Sequence, residues 1–370
     1  MEKLVMQNLF GGMYKGKTVL VTGHTGFKGS WLVLWLHQMG AKVIGYSLPA
    51  PTVPNHIALL NLDITSIVGD IRDLNKLNET FQTYKPDIVF HLAAQPLVRL
   101  SYENPIETYE TNVMGTLKVF EACRTHNVKA IVNITSDKAY ENREWIWGYR
   151  ENDPMGGYDP YSSSKGCADL LANSYRSSYF NPHEYKKSHN TLLATCRAGN
   201  VIGGGDWAKD RLITDIMLSV SQGKKVSIRN PNATRPWQHV LEPLSGYLAI
   251  GQKLLEEKAE FGEAWNFGPS DEGSITVEEV VKHVKKHWNE IDYEITRDPN
   301  QLHEANLLKL DCSKAHIRLK WKDVWESDTT FEKTVLWYKN FYDNHRTDTL
   351  NNLEQYVTDA KNKKLSWSSL

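Results

Sequence analysis

Between residues 17 and 203 the chain alternates short apolar runs with longer amphipathic stretches. The apolar runs are KTVLVTG (17–23), AKVIGYS (41–47), SIVGD (66–70), DIVFHLAA (87–94), KAIVNITS (129–136) and NTLLATCRAGNVIG (190–203). The stretches between them include WLVLWLHQMG (31–40), LNKLNETFQTY (74–84), IETYETNVMGTLKVFEACRTH (106–126) and PYSSSKGCADLLANSYRSSYF (160–180). Runs of strand length followed by helical stretches predict repeated βα units. Such units build a parallel sheet with helices on both faces and right-handed crossovers. The expected class is therefore α/β, a Rossmann-type doubly wound sheet. After about residue 200 the pattern loosens into glycines, prolines and short apolar pieces: GGGDWAKD (203–210), IRNPNATRPW (228–237) and WNFGPSDEG (265–273). This predicts a smaller, partly interleaved C-terminal lobe. The polar stretch from 345 to 370 either packs as a last helix or trails into solvent.

The first βα turn carries candidate chemistry. VTGHTGFKG (21–29) places Gly23, Gly26 and Gly29 directly after the first strand and before a helix. Glycines there permit a tight turn and close approach of backbone to a pyrophosphate, and the helix N-terminus offers unpaired N–H groups and partial positive charge. In this strand–turn–helix context the triplet predicts a dinucleotide site that also takes in Thr25, Phe27 and Lys28. The second strand of such a fold ends in an acid that grips the adenosine ribose. Here Tyr46 and Ser47 stand at that end, with no arginine to meet a 2′-phosphate. The expectation is NAD rather than NADP, held loosely. Asp70 and Ile71 are expected near the adenine, and Ala93, Ala94 and Gln95 near the pyrophosphate and ribose. Residues 1–190 are thus expected to form the NAD-binding domain, with later strands returning at 191–200 and 237–268. Residues 201–345 would be mainly a substrate lobe and 346–370 a tail.

Composition narrows the class without changing it. The 370 residues carry 43 Lys+Arg against 44 Asp+Glu, a net charge of −1, which argues against general nucleic-acid or acidic-membrane binding. The run WLVLWL (31–36) is too short to span a bilayer, and MEKLVMQNLF has neither a long apolar region nor a small-residue cleavage site. Cys123, Cys167, Cys196 and Cys312 are scattered and form no CxxC pair. A metal site is not expected, and a reducing cytoplasm fits best.

Two further motifs point to acid/base work. YSSSK gives Tyr161 and Lys165, four apart and hence on one helix face. An ammonium beside a phenol favours the phenolate, which can take a proton from a sugar hydroxyl as hydride leaves the same carbon. TSDKAY (135–140) sets Ser136, Asp137 and Lys138 side by side at the mouth of the fifth strand, where folding alone gives no reason for them. A sugar dehydration would supply one.

With these motifs the sequence resembles the extended short-chain dehydrogenase/reductases, and among them the CDP-D-glucose 4,6-dehydratases. The resemblance rests on VTGHTGFKGSWL, HLAAQPLVRLSYENPIETYETNVMGT, NITSDKAYENREWIWGYRENDPMGGYDPYSSSKG, RAGNVIGGGDWAKDRLI, IRNPNATRPWQHVLEPLSGYL and HEANLLKLDCSKA, spanning residues 16 to about 320. It implies a hydro-lyase of deoxysugar biosynthesis, of the kind that feeds lipopolysaccharide O-antigen. NAD takes hydride from C4 of the CDP-glucose substrate, water is eliminated across C5 and C6, and the hydride returns to C6. The resemblance makes Ser136 a hydrogen-bond partner of the C4 oxygen and Asp137 the acid for the departing C6 hydroxyl. Lys138 stands where TDP-glucose dehydratases carry a glutamate base. Either it is neutral here, or it stabilises the enolate while another group is the base. Asn112 resembles the asparagine that orders the tyrosine–lysine pair, and Asn200 the one that contacts the sugar diphosphate. Arg229 and Arg235 suit phosphate in kind, as do Lys209 and Arg211, which open a helix. Trp207 and Trp237 would fill the lobe sooner than stack a base. Helices at about 105–126 and 161–180 form a dimer interface in this superfamily, so a homodimer is expected. A nucleotide-sugar 4-epimerase and a nonenzymatic NAD-binding protein are the alternatives. Neither has need of the Asp137–Lys138 pair, and the second has no need of Tyr161 and Lys165.

Overall fold

The computed structural model describes residues 6–228, 231–269, 274–296 and 307–368. Arg229, expected to bind substrate, lies outside the described residues. The chain runs β1 (Thr18–Thr22), α1 (Phe27–Gln38), β2 (Lys42–Ser47), β3 (Thr65–Val68), α2 (Leu74–Tyr84) and β4 (Ile88–His91). A helix then begins at Pro105–Tyr109, passes through a π turn at Glu110–Gly115 and continues as α3 (Thr116–Thr125). After it come β5 (Ala130–Ile134), α4 (Pro160–Ser178) and β6 (Leu192–Ala198). These strands and β10 (Ala264–Phe267) form one seven-stranded sheet in the order β10-β6-β5-β4-β1-β2-β3, every neighbour parallel. The strand order reverses between β1 and β4, the switch point where ligands of doubly wound sheets lie.

The sheet is buried on both faces. On one, α1 and α6 (Leu241–Leu255) pack with the C-terminal helix α9 (Thr349–Asn362) around Trp31, Trp35, Tyr247 and Trp265. On the other, α2, α3 and α4 cover Leu20, Val89 and Ile131. The stretch after 345 therefore packs rather than trails. Leu353, Tyr356, Val357 and Trp367 are buried against the first face, each contributing about 1.5–3 kcal/mol by burial.

Two small sheets make the second lobe. One is ordered β11-β9-β7 from Ser274–Thr276, Thr234–His239 and Asn200–Ile202, and the other pairs β12 (Tyr293–Ile295) with β8 (Val226–Ile228). Around them α5 (Leu212–Ser221), α7 (Val277–His287) and α8 (Ser327–Asn344) enclose a separate core with Trp237, Phe331 and Trp337. The run 190–203, which reads as one strand in sequence, is two strands in different sheets. The break falls at Gly199, where a Cβ would stand 2.9 Å from the Asp137 Oδ2 and 3.3 Å from the Pro236 Cγ. The chain changes sheets where it passes the acid, and a side chain would crowd it.

Candidate active site

The glycine loop links β1 to α1. Gly23 has φ +75°, and a Cβ there would lie 2.8 Å from the Ala93 backbone; one on Gly29 would lie 2.1 Å from the Gly23 oxygen. Strand, loop and helix thus pack at a distance only glycine permits. Gly26 caps α1 without a side-chain hydrogen bond, so the helix start presents backbone N–H groups at the sheet's switch point. This cradle fits a dinucleotide pyrophosphate. Ala93, Ala94 and Gln95 follow β4 beside it. Lys28, in the first turn of α1, has its pKa lowered to about 8 by burial, opposed by the Asp137 carboxylate and helped by the nearby cations Lys165 and Arg211. Its charge is therefore felt in the acid/base centre as well as at the loop.

At the end of β2 the Ser47 hydroxyl meets the Thr25 hydroxyl at 2.7 Å. Tyr46 is fully buried, and its hydroxyl donates to the Asp70 carbonyl at 2.9 Å. It is a core residue under Gly69 rather than a substitute for the missing acid. The Asp70 side chain is held by Arg72, whose Nε and Nη2 donate at 3.0 and 2.7 Å to Oδ2. Ile71 is buried in the core, leaving its backbone for a ligand. His24 lies buried over Gly45, with Nε2 2.7 Å from the Ser66 hydroxyl, and burial lowers its pKa to about 4. Sequence reasoning left His24 out.

The acid/base residues come together beyond the ends of β4 and β5. Ser136, Asp137, Tyr161 and Lys165 are all buried. The Ser136 hydroxyl donates to Asp137 Oδ1 at 3.0 Å and accepts from the Lys138 N–H at 3.2 Å; it also acts on the Tyr161 phenol, favouring the phenolate. Burial raises the Asp137 pKa against the pull of the Lys138 charge, which favours the protonated acid. Lys138 is half-buried beside it. Burial also pushes the Tyr161 phenol up to about 12, helped by the charge of Asp137 and opposed by the Ser136 hydroxyl and, across the cleft, by the Arg211 guanidinium. The cation that favours the phenolate is thus Arg211 rather than the expected Lys165, and desolvation prevails. Lys165 itself is lowered to about 8 by burial, with Asp169 acting the other way.

Neighbours absent from the sequence-based set hold these residues. Asp159 caps α4, accepting from the Ser162 N–H at 2.9 Å and hydroxyl at 2.6 Å; the Asp-Pro start of YSSSK could have signalled it. Ser101 accepts the Tyr161 N–H at 3.1 Å. Asn112, in the π turn, accepts from the Gln95 N–H at 2.8 Å and donates to the Ser164 hydroxyl at 2.8 Å. Ser164 in turn donates to the Tyr161 carbonyl at 2.7 Å, so Asn112 ties β4's loop to the helix that carries the tyrosine.

From the second lobe, Arg211 precedes α5, its Nη1 2.5 Å from Asp206 Oδ2. Burial opposes its charge, but Asp206 keeps its pKa above the ordinary value. Asp206 is fixed by Tyr338, whose hydroxyl accepts its N–H at 2.9 Å. Asn200 opens β7 and Arg235 lies in β9, both half-buried, while Lys209 is exposed. Trp207 packs against Trp337 and Phe341, and Trp237 against Phe331. Both fill the lobe.

A buried phenol and lysine one turn apart, a protonatable acid and a dinucleotide cradle at one sheet edge are the parts of a nucleotide-sugar-modifying dehydrogenase fold. The family model for GDP-mannose 4,6 dehydratase matches residues 20–334. The chain belongs to this family. Among curated proteins, the dehydratase family member CDP-glucose 4,6-dehydratase of Salmonella typhimurium is 57% identical over 329 residues, 88% of this chain and 91% of that protein. The UDP-glucose 4-epimerase of Halalkalibacterium halodurans is 26% identical over 348 residues, covering 89% of this chain and 98% of its own. In fold, the chain matches the structure of Thermus thermophilus UDP-glucose 4-epimerase in complex with NAD with a TM-score of 0.73 at 22% identity, covering 87% of this chain and 99% of that one.

Proposed function

We propose that the protein is an NAD-dependent hydro-lyase that converts CDP-D-glucose to CDP-4-keto-6-deoxy-D-glucose. The observation that carries this reading is the buried, protonatable Asp137 hydrogen-bonded to Ser136, whose hydroxyl acts on the Tyr161 phenol. An epimerase needs the phenol and no such acid. The 57% identity to a CDP-glucose 4,6-dehydratase supports the nucleotide and the sugar.

NAD would be held by the backbone of Gly23–Gly29 with Thr25, Phe27 and Lys28, by Asp70, Ile71, Ala93, Ala94, Gln95 and Asn112, and by Tyr161 and Lys165 on its ribose side. When bound, NAD supplies a positively charged ring that accepts the C4 hydride, adds to the cations acting on the phenol, and gives the hydride back at C6. Tyr161 takes the proton of the C4 hydroxyl, with Lys165 and Arg211 lowering the cost of the phenolate. Ser136 hydrogen-bonds the C4 oxygen. Asp137, its pKa raised by burial, delivers a proton to the leaving C6 hydroxyl. Lys138 serves the C5 half of the elimination, as base or as the cation beside the enolate. Asn200, Arg235, Arg211 and Lys209 take the diphosphate from the second lobe. In this reading residues 1–190 with the returning strands hold NAD, and 201–345 hold the nucleotide sugar.

The product suits a step of deoxysugar supply for a surface polysaccharide such as O-antigen. Ile106, Met114 and Leu170 are large apolar residues left exposed on the helices around 105–125 and 160–178. They suit a homodimer closed through those helices. Four free cysteines, and no described helix long and apolar enough to cross a membrane, fit work in the cytoplasm on a soluble nucleotide sugar. Incubation with CDP-glucose and NAD tests the reading: a 4-keto-6-deoxy product is expected, and an epimerised sugar or unchanged substrate would overturn it.

A further inference from the structure

Behind the acid/base centre lies a buried ion pair that the reaction as described does not use. Asp169 stands on α4 one turn beyond Lys165, and Arg197 lies on β6; their side chains are 3% and 5% exposed. The pair is bidentate, with Arg197 Nε donating to Asp169 Oδ2 at 2.9 Å and Nη2 to Oδ1 at 2.7 Å. Each partner reaches one end of the segment 135–140. Thr135 donates its hydroxyl to Asp169 Oδ2 at 2.8 Å. Arg197 Nη1 donates to the Tyr140 hydroxyl at 2.6 Å and to the Glu151 carbonyl at 2.9 Å. The Tyr140 hydroxyl continues to Asn266 Oδ1 at 2.7 Å. Thr135 and Tyr140 bracket Ser136, Asp137 and Lys138.

Stability alone is a poor reason for such a pair, since buried ion pairs are often replaceable by apolar side chains without loss. We propose that Asp169 and Arg197 are positioning residues: they clamp both ends of the segment carrying Ser136 and Asp137 to the helix carrying Tyr161 and Lys165, and Asp169 supplies the negative charge that keeps Lys165 an ammonium. This rests on the dehydratase reading above. The electrostatics agree. Burial drives Lys165 down and Asp169 opposes it. The other charged or titratable groups facing Lys165 do not replace that carboxylate: burial holds His91 on β4 neutral, its pKa about 3, and Lys28 on α1 is a cation. Asp169 itself faces Arg197 and Cys196 on β6 and Arg176 on α4. Burial raises the Cys196 pKa well above its ordinary value, so the thiol stays neutral.

Two variants separate the two parts. Asp169→Asn keeps the shape and removes the charge. Lys165 then loses its proton at lower pH, so the alkaline limb of the kcat profile should move toward acid by up to about one unit, less than for opposite charges in direct contact. Asp169→Glu should restore the wild-type limb. Thr135→Val keeps the ion pair and cuts one strap. It should lower kcat on the order of tenfold through misplacement of Asp137, with the alkaline limb and KM unchanged. It should also raise hydrogen–deuterium exchange in residues 136–140 but not in β4 or β6, a readout that needs no substrate. Exchange in 136–140 like wild type in Thr135→Val overturns the clamp, and a uniform loss at all pH values in Asp169→Asn overturns the electrostatic role. Failure of the wild type to dehydrate CDP-glucose would sink the dehydratase reading and leave the exchange result to decide the clamp.

Discussion

The two ends of the cleft are built differently. At the acid/base end, Ser136, Asp137, Tyr161 and Lys165 are buried, Ser136 bonded to Asp137 and the Tyr161 backbone to Ser101, and the site is backed by a bidentate ion pair. At the adenosine end, a pair of hydroxyls, Thr25 and Ser47, replaces the expected acid. Asp70, expected near the adenine, is partly exposed and already engaged by Arg72. Preorganised groups in a dry site lower barriers because they need no rearrangement at the moment of reaction. A neutral hydroxyl grips a ribose less than a carboxylate does. On the proposed reading, the contrast means that the fold invests in holding the sugar chemistry and little in holding the cofactor. That suits a reaction in which the cofactor ends as it began.

Changes at the acid/base end should have the largest effect. Tyr161→Phe removes the proton acceptor and should cut turnover of CDP-glucose toward the upper end of the ~10²–10⁴-fold range for a general base, as read by steady-state rates. Near-normal turnover would mean that the phenol is a bystander. Asp137→Asn keeps the geometry but cannot donate the proton. Elimination should fall about 10²-fold while C4 oxidation continues, so reduced cofactor should build up in a stopped-flow trace. Lys138→Ala should slow solvent-deuterium exchange at C5 by about tenfold or more, short of the full acid–base range. Wild-type exchange would remove lysine from the elimination. At the adenosine end, Ser47→Asp should tighten NAD by about tenfold, the lower limit for a hydrogen bond to a charged group, without raising kcat at saturating NAD. A gain in kcat there would break the contrast between the ends.

How much of this was legible in the sequence differs along the same line. The β1–α1 loop and the YSSSK helix are local: spacing on one strand–turn–helix or one helical face fixes which residues meet, so periodicity and glycine placement sufficed. The parallel sheet follows from the βα alternation, which leaves the order of its strands open. The break at Gly199 was missed because an apolar run carries no mark of the sheet it joins; the reason lies in Asp137, which is 62 positions away in the chain. Asp169 and Arg197 were missed for the same reason, each reading as an ordinary charge on its own element. The phenol's raised pKa was misjudged because a sequence shows the lysine four residues along but not the burial of the phenol or the charge of Asp137 beside it. Arg211 was placed near phosphate by its charge at a helix start, yet its link to Asp206 and Tyr338 depends on α8, more than 100 residues later.

The central claim is that one active site removes hydrogen from C4 and puts the same hydrogen on C6 of the same sugar. A mixture of C4-deuterated CDP-glucose and ¹³C-labelled, undeuterated CDP-glucose tests it directly by mass spectrometry of the product. Deuterium should appear at C6 only in molecules lacking ¹³C. Deuterium crossing into the ¹³C-labelled product, or lost to solvent, would contradict it.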